Sequence, residues 1–438
     1  MGVSRIPALV GAAFLLAWAS PTLAGTTERI NVGPHGEQAD GDSFEASVSA
    51  HGRIVAFFAA SDNIISGGPS DASAGILVRD RLTGTTVRAD VSPTGGPADN
   101  FGEEPLVSRN GRTVAFVSYA SNLVANTTNG LGNVFLRDLL TGTTTRASLG
   151  PGGQQPDRSC QLAALSANGQ VVAFTTSATN LTPLSGRFYV NLYVRDLATG
   201  TTTLETPSRR GGLANAPTFE ASLSGNGRFL AFASYAHNLV RATRLGHHQN
   251  VFLRDRRKGR TVLVSATPDG GEGNGISFGP FVTDDGATVA FSSLATDLVP
   301  GGTSGQGDVF LRHVRTGATE RVRFTTGDVE PDSGVFLADM TPDGRFLLVR
   351  SSAGNLVPND TNSDNDFFLF DRVSQSLARV NVGNDGAQTN SVTYDARLSA
   401  DGGTVVFSSL ASNLAPNDTN DHHDIFVRTL GASAARRR

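Results

Sequence analysis

Residues 359 to 372 read "NDTNSDNDFFLFDR", which places Asp360, Asn362, Asp364 and Asp366 on alternate positions ahead of an apolar run. A second stretch, "NDTNDHHDIF", repeats the spacing with Asp418, Asn420, His422 and Asp424. Alternating carboxylates and amides can curl around a hard cation, and calcium takes six to eight oxygens. Packed carboxylates also repel one another without a counter-charge. On the other side, neither stretch has the glycine found at the sixth position of helix-loop-helix calcium loops, and Asp and Asn are good turn formers in their own right. Two readings stand: a calcium site of modest, extracellular-type affinity, or acidic polar turns. The second is the simpler.

What positions these residues is a repeat. The run "ILVRD", "VFLRD", "LYVRD", "VFLRD", "VFLRH", "FFLFD", "IFVRT" ends at Asp80, Asp138, Asp196, Asp255, His313, Asp371 and Thr429, so the period is 58 or 59 residues. A second run, from "GRIVAFFAASDNI" to "GGTVVFSSLASNL", keeps step with it. Each copy reads as four short strands. Asn-Gly and Asp-Gly pairs such as Asn110-Gly111 and Asp343-Gly344 join the first two, and such pairs favour two-residue turns with both central residues at positive φ. Thr-Gly turns join the third strand to the fourth. The expected fold is all-β: a seven-bladed propeller of four-stranded blades spanning residues 25–430. The last copy stops after its third strand, and "TTERINV" at Thr26 to Val32 reads as the missing fourth. It should complete blade seven and close the ring, leaving no open edge.

This organisation resembles the WD-repeat-like propellers of the TolB type. The resemblance covers residues 26 to 430 and rests on "S-x-[ND]-G-R-x-V-A-F" at the first hairpin and "V-F-L-R-D" in the third strand. It implies a propeller fold without the N-terminal α/β domain of TolB.

Strand direction alternates within a blade, so the first-to-second and third-to-fourth turns share one face, and they are short. The second-to-third and fourth-to-first loops share the other and are longer than closure needs, which is where binding residues tend to sit. The Asp of "VFLRD" lies on the short-turn face and reads as a turn cap. Aligned first strands place Glu45, Glu104, Glu220 and Asp395 near the long-loop end of the channel. With the loops of blades six and seven, Asp395, Glu45 and Glu104 form an acidic arc over blades six, seven, one and two, a seat for a cation or a basic partner segment, while Glu220 falls in blade four. The plainer alternative is a hydrated channel mouth.

Composition narrows the function classes. A net charge of −4 argues against nucleic acid. Residues 1–24 have the n-region, apolar h-region and small-residue end of a signal peptide, with cleavage expected after Ala24 and no membrane span afterwards. That predicts an exported chain, periplasmic or extracellular, with residues 431–438 as a basic tail. Cys160 is the single cysteine and sits in an apolar stretch, so it reads as a buried inert thiol. No Gly-x-Ser-x-Gly elbow is present. The expected role is a monomeric binding or scaffold propeller for a protein or glycan, with a propeller enzyme of the polysaccharide lyase or glycosidase type as the alternative.

Overall fold

The computed structural model describes residues 25–65, 74–125, 129–184, 188–241, 248–325 and 329–431. The expected signal peptide and the tail beyond Gly431 lie outside the described residues. The second and third strands of each repeat are apolar at successive positions, which suits strands buried on both faces. In blade one (Ser43–Val48, Ile54–Ala59, Gly75–Asp80, Thr85–Arg88), Val55 and Phe57 pack with blade seven, while Ala56, Ile76 and Val78 pack with blade two. The two-residue period thus divides each strand between its two neighbours. Seven apolar cores result, one between each pair of adjacent blades.

Seven antiparallel four-stranded sheets make up the ring, each in sequence order except the seventh. There, Gly25–Arg29 pairs with Asp424–Leu430 from Gly25 opposite Leu430 to Arg29 opposite Phe426. The N-terminal strand closes the ring. Cross-strand aromatic pairs stiffen the blade centres. Phe116 stacks on Phe135, Phe232 on Phe252 and Phe407 on Phe426 at centroid distances of 5.9, 5.6 and 5.8 Å.

The first hairpin departs from the expected two-residue turn. In blade one the Ser49 amide donates to Ile54 O, and the Gly52 amide donates back to Ser49 O. Four residues therefore lie between the bonded pair Ser49 and Ile54, and only the glycine takes positive φ, 73° at Gly52 and 71° at Gly111. The residue before it works through its side chain instead. Asn110 Oδ1 accepts from Ser108 Oγ and from the Arg112 amide, a side-chain mimic of a backbone turn.

Loops of the long-loop face are tied within each blade. Asn122 donates Nδ2 to Pro97 O at 2.8 Å and accepts from the Asp99 amide, and Asn63, Asn180, Asn238, Asn355 and Asn413 donate to the equivalent carbonyls. The recurrent Asn of "SNL" is therefore a loop tie.

Candidate functional site

In the acidic loops an arginine stands between the carboxylates for which a calcium site was one of two readings. Arg379, in the fourth strand of blade six, lies 3.0 Å from Asp360 and 3.1 Å from Asp366, which opens the third strand. Arg29 stands equally between Asp418 and Asp424, at 3.1 and 2.9 Å. Arg321 meets Asp308 in blade five at 2.6 Å, so the clamp recurs in three consecutive blades. Asn381 donates to Asp366, and Asn31 to Asp424, each at 2.7 Å. Asn420 donates to Ala39 O, Asn362 accepts from the Asp364 amide, and His422 faces Asp42. Burial raises the Asp366 carboxyl to about 6 against the opposing charge of Arg379. Burial and the charge of Asp424 likewise raise Asp418. Among the described residues no group of three or more His, Cys, Asp or Glu side chains is arranged to hold a metal ion. The sign of this clamp was present in the sequence as an Arg thirteen residues after Asp308.

The short-turn face is built from arginine forks. Asp80, Asp138, Asp255 and Asp371 accept from Arg53, Arg112, Arg228 and Arg345 at 2.7–2.8 Å. The same aspartates cap their turns, as Asp80 Oδ1 does for the Leu82 amide and Asp371 Oδ1 for the Val373 amide. Towards the axis, Arg109 of blade two reaches Asp284 of blade five at 2.7 Å, and Asp284 also accepts from the Gly225 amide. This strap crosses the channel at its short-turn end. With 175 residues between its partners, nothing local in the sequence announces it.

The long-loop mouth differs. Every first strand carries a bulge at its midpoint, for example between Phe44 and Ser47 and between Glu103 and Leu106. At the bulge Glu45 and Glu104 are strained, with φ of 55° and 56°, a region costly for a residue other than glycine, whereas blade five has Gly279 there at 59°. The glutamates tie neighbouring blades together through Oε2. Glu45 accepts from the Glu104 amide at 2.6 Å, Glu104 from the Leu162 amide at 2.7 Å and Glu220 from the Gly279 amide at 2.7 Å. Asp395 accepts instead from Ser408 Oγ within its own blade.

Asp395, Glu45 and Glu103 share one cleft of about 380 Å³ across blades seven, one and two, with Phe44, Phe101 and Tyr394. Glu104 adjoins it through Glu45, while Glu220 lies in blade four, apart from this group. Burial, then the charges of Glu103 and Asp395, raise Glu45 above the usual carboxylate range. Burial, then Glu103 and Glu45, push Glu104 up to about 7. None of these carboxylates has a salt-bridge partner among the described residues, in contrast to the clamped loops beside them. Phe101 and Tyr394 are 48% and 54% exposed. Tyr394 and Phe44 both pack on His423, with centroids 4.6 and 4.5 Å away. The aromatic residue preceding the acid in "FE" and "YD" was a legible sign of this cleft, and Glu103 is the site residue that alignment on the second strand position passes over.

No protein-family model and no curated protein sequence matches the chain. Solved propellers do. An oligogalacturonate lyase from Vibrio parahaemolyticus superposes with a TM-score of 0.54 at 14% identity over 94% of this chain and 98% of that one. An oligogalacturonate lyase in complex with manganese gives 0.52 at the same identity and coverage. A prolyl endopeptidase gives 0.53 at 10% identity, over 85% of this chain and 46% of that one. TolB from Acinetobacter baumannii overlaps more loosely, at 0.40. At these identities the likeness establishes a β-propeller fold and leaves the chemistry to be argued from this chain's own residues.

Proposed function

We propose that this protein is an exported binding propeller whose channel mouth receives a basic segment of a protein partner. One observation carries the reading: Asp395, Glu45 and Glu103 stand without a salt-bridge partner among the described residues around exposed aromatic rings, whereas arginine meets Asp360, Asp366, Asp418 and Asp424 in the adjoining loops. A lysine or arginine side chain suits such a seat, because its stem packs on the rings and its charge meets both ring faces and carboxylates. The strap of Arg109 and Asp284 leaves the long-loop mouth as the entrance. A neutral glycan could stack on the same rings, but it would leave the raised carboxyls unrelieved.

The test is calorimetric titration with a lysine- and arginine-containing decapeptide and with neutral oligosaccharides. Glu45→Gln with Asp395→Asn should weaken peptide binding at least tenfold, and binding should weaken as pH falls and the raised carboxyls protonate. Peptide affinity unchanged by these substitutions would sink the proposal, and selective oligosaccharide binding would replace it. An enzymatic reading has one observation in its favour, a Glu104 carboxyl near 7 beside other acids, as general acid catalysis requires. Bond cleavage in an acidic or neutral oligosaccharide that is lost in Glu104→Gln would establish that reading instead.

A further inference from the structure

Blade four breaks the acidic character of the chain. Between Glu205 and Arg260 the sequence has ten Arg and Lys residues against three acidic ones, while the whole chain carries −4. The structure gathers part of this charge in a cleft of about 490 Å³ along the outer strand Arg260–Leu263. Arg209, from the loop entering blade four, and Arg241, from its second-to-third loop, line one end; Arg260 lies at the other. Ser208 and Thr261 add hydroxyls. The protein's own carboxylates are spent elsewhere. Glu205 meets Arg254 and Arg256, both at 2.8 Å, and Asp255 meets Arg228 at 2.7 Å. Arg209, Arg241 and Arg260 have no salt-bridge partner among the described residues.

We propose that this cleft binds a ligand carrying two or more phosphate groups. Arginine's planar fork matches phosphate oxygens two at a time, and phosphate brings more negative charge per group than a carboxylate. The length of a four-residue strand, roughly 13 Å, separates the two ends of the cleft. One phosphate cannot reach both, whereas a chain of phosphates can. Free oligophosphate and a phosphorylated lipid headgroup share this chemistry.

Two probes separate the sources: sodium tripolyphosphate by calorimetry, and flotation with vesicles of phosphatidylinositol bisphosphate, whose headgroup carries three phosphates, in phosphatidylcholine against phosphatidylcholine alone. Arg209→Gln and Arg241→Gln should each raise the tripolyphosphate Kd about tenfold. Arg315→Gln, an exposed arginine of blade five, removes the same charge elsewhere and should change nothing. Binding confined to phosphatidylinositol bisphosphate vesicles and lost with the same two substitutions would identify a lipid source. Failure of both probes to bind, or an equal loss in Arg315→Gln, overturns the proposal. Thermal scans of each variant exclude misfolding as the cause.

Discussion

Replacing Arg379 by Ala tests the clamp reading of blade six. The guanidinium is 8% exposed, and the carboxylates it separates, Asp360 and Asp366, are 7% and 0% exposed. Deleting one partner of a buried pair leaves uncompensated charge and costs about 3–5 kcal/mol. At about 2 cal/mol/K of unfolding entropy per residue, a propeller of this size should lose roughly 4–6 °C in Tm. A pH arm follows from Asp366, whose folded carboxyl sits at about 6, above its unfolded value. The folded state then binds more protons than the unfolded one between the two values, so on this group's account stability falls as pH rises through that window and levels off above it. Without Arg379 the window extends upward. The deficit of the variant should therefore be larger near neutrality than at about pH 5. Adding Asp366→Asn to Arg379→Ala removes the more deeply buried of the two stranded charges and should recover part of the loss. Differential scanning calorimetry of the three proteins decides it. A loss below about 1 °C, or a double variant no better than the single, would refute the reasoning. So would a calcium-specific rise in the unmodified protein's Tm that Asp360→Ala abolishes, because that would make calcium the resident counter-charge.

Three further outcomes are expected. A chain beginning at Gly33 lacks the strand that pairs with Asp424–Leu430 and should aggregate on size exclusion, since it exposes an unpaired edge and the apolar seam beneath it. Cys160 is 1% exposed with its thiol pushed up to about 12, so it should resist a thiol reagent in the native protein and react once unfolded in urea. Asn122→Ala removes a donor to Pro97 O and an acceptor of the Asp99 amide; it should cost about 1–2 kcal/mol and speed proteolysis within residues 92–100.

The propeller, its blade count and its closure were legible in the sequence because they depend on periodicity. Paired strands with continuous apolar runs, repeated every 58 or 59 residues, have few other ways to bury both faces, and the fourth strand missing from the last copy is matched by the one at the start. Turn caps were legible for the same reason: Asp80 and Leu82 are two residues apart. For the acidic residues a spacing was legible, Arg321 thirteen residues after Asp308, but the pairing itself was not. Asp360 and Arg379 are neighbours only because two strands of one blade pair, and Asp418 meets Arg29 only after the ring has closed. Likewise Arg109 and Asp284 meet across the channel. Spacing along the chain showed where negative charge would gather. Which carboxylates an arginine neutralises, and which remain bare at the channel mouth, is decided by distances that exist only in the folded ring, because Coulomb interactions depend on separation in space and on burial.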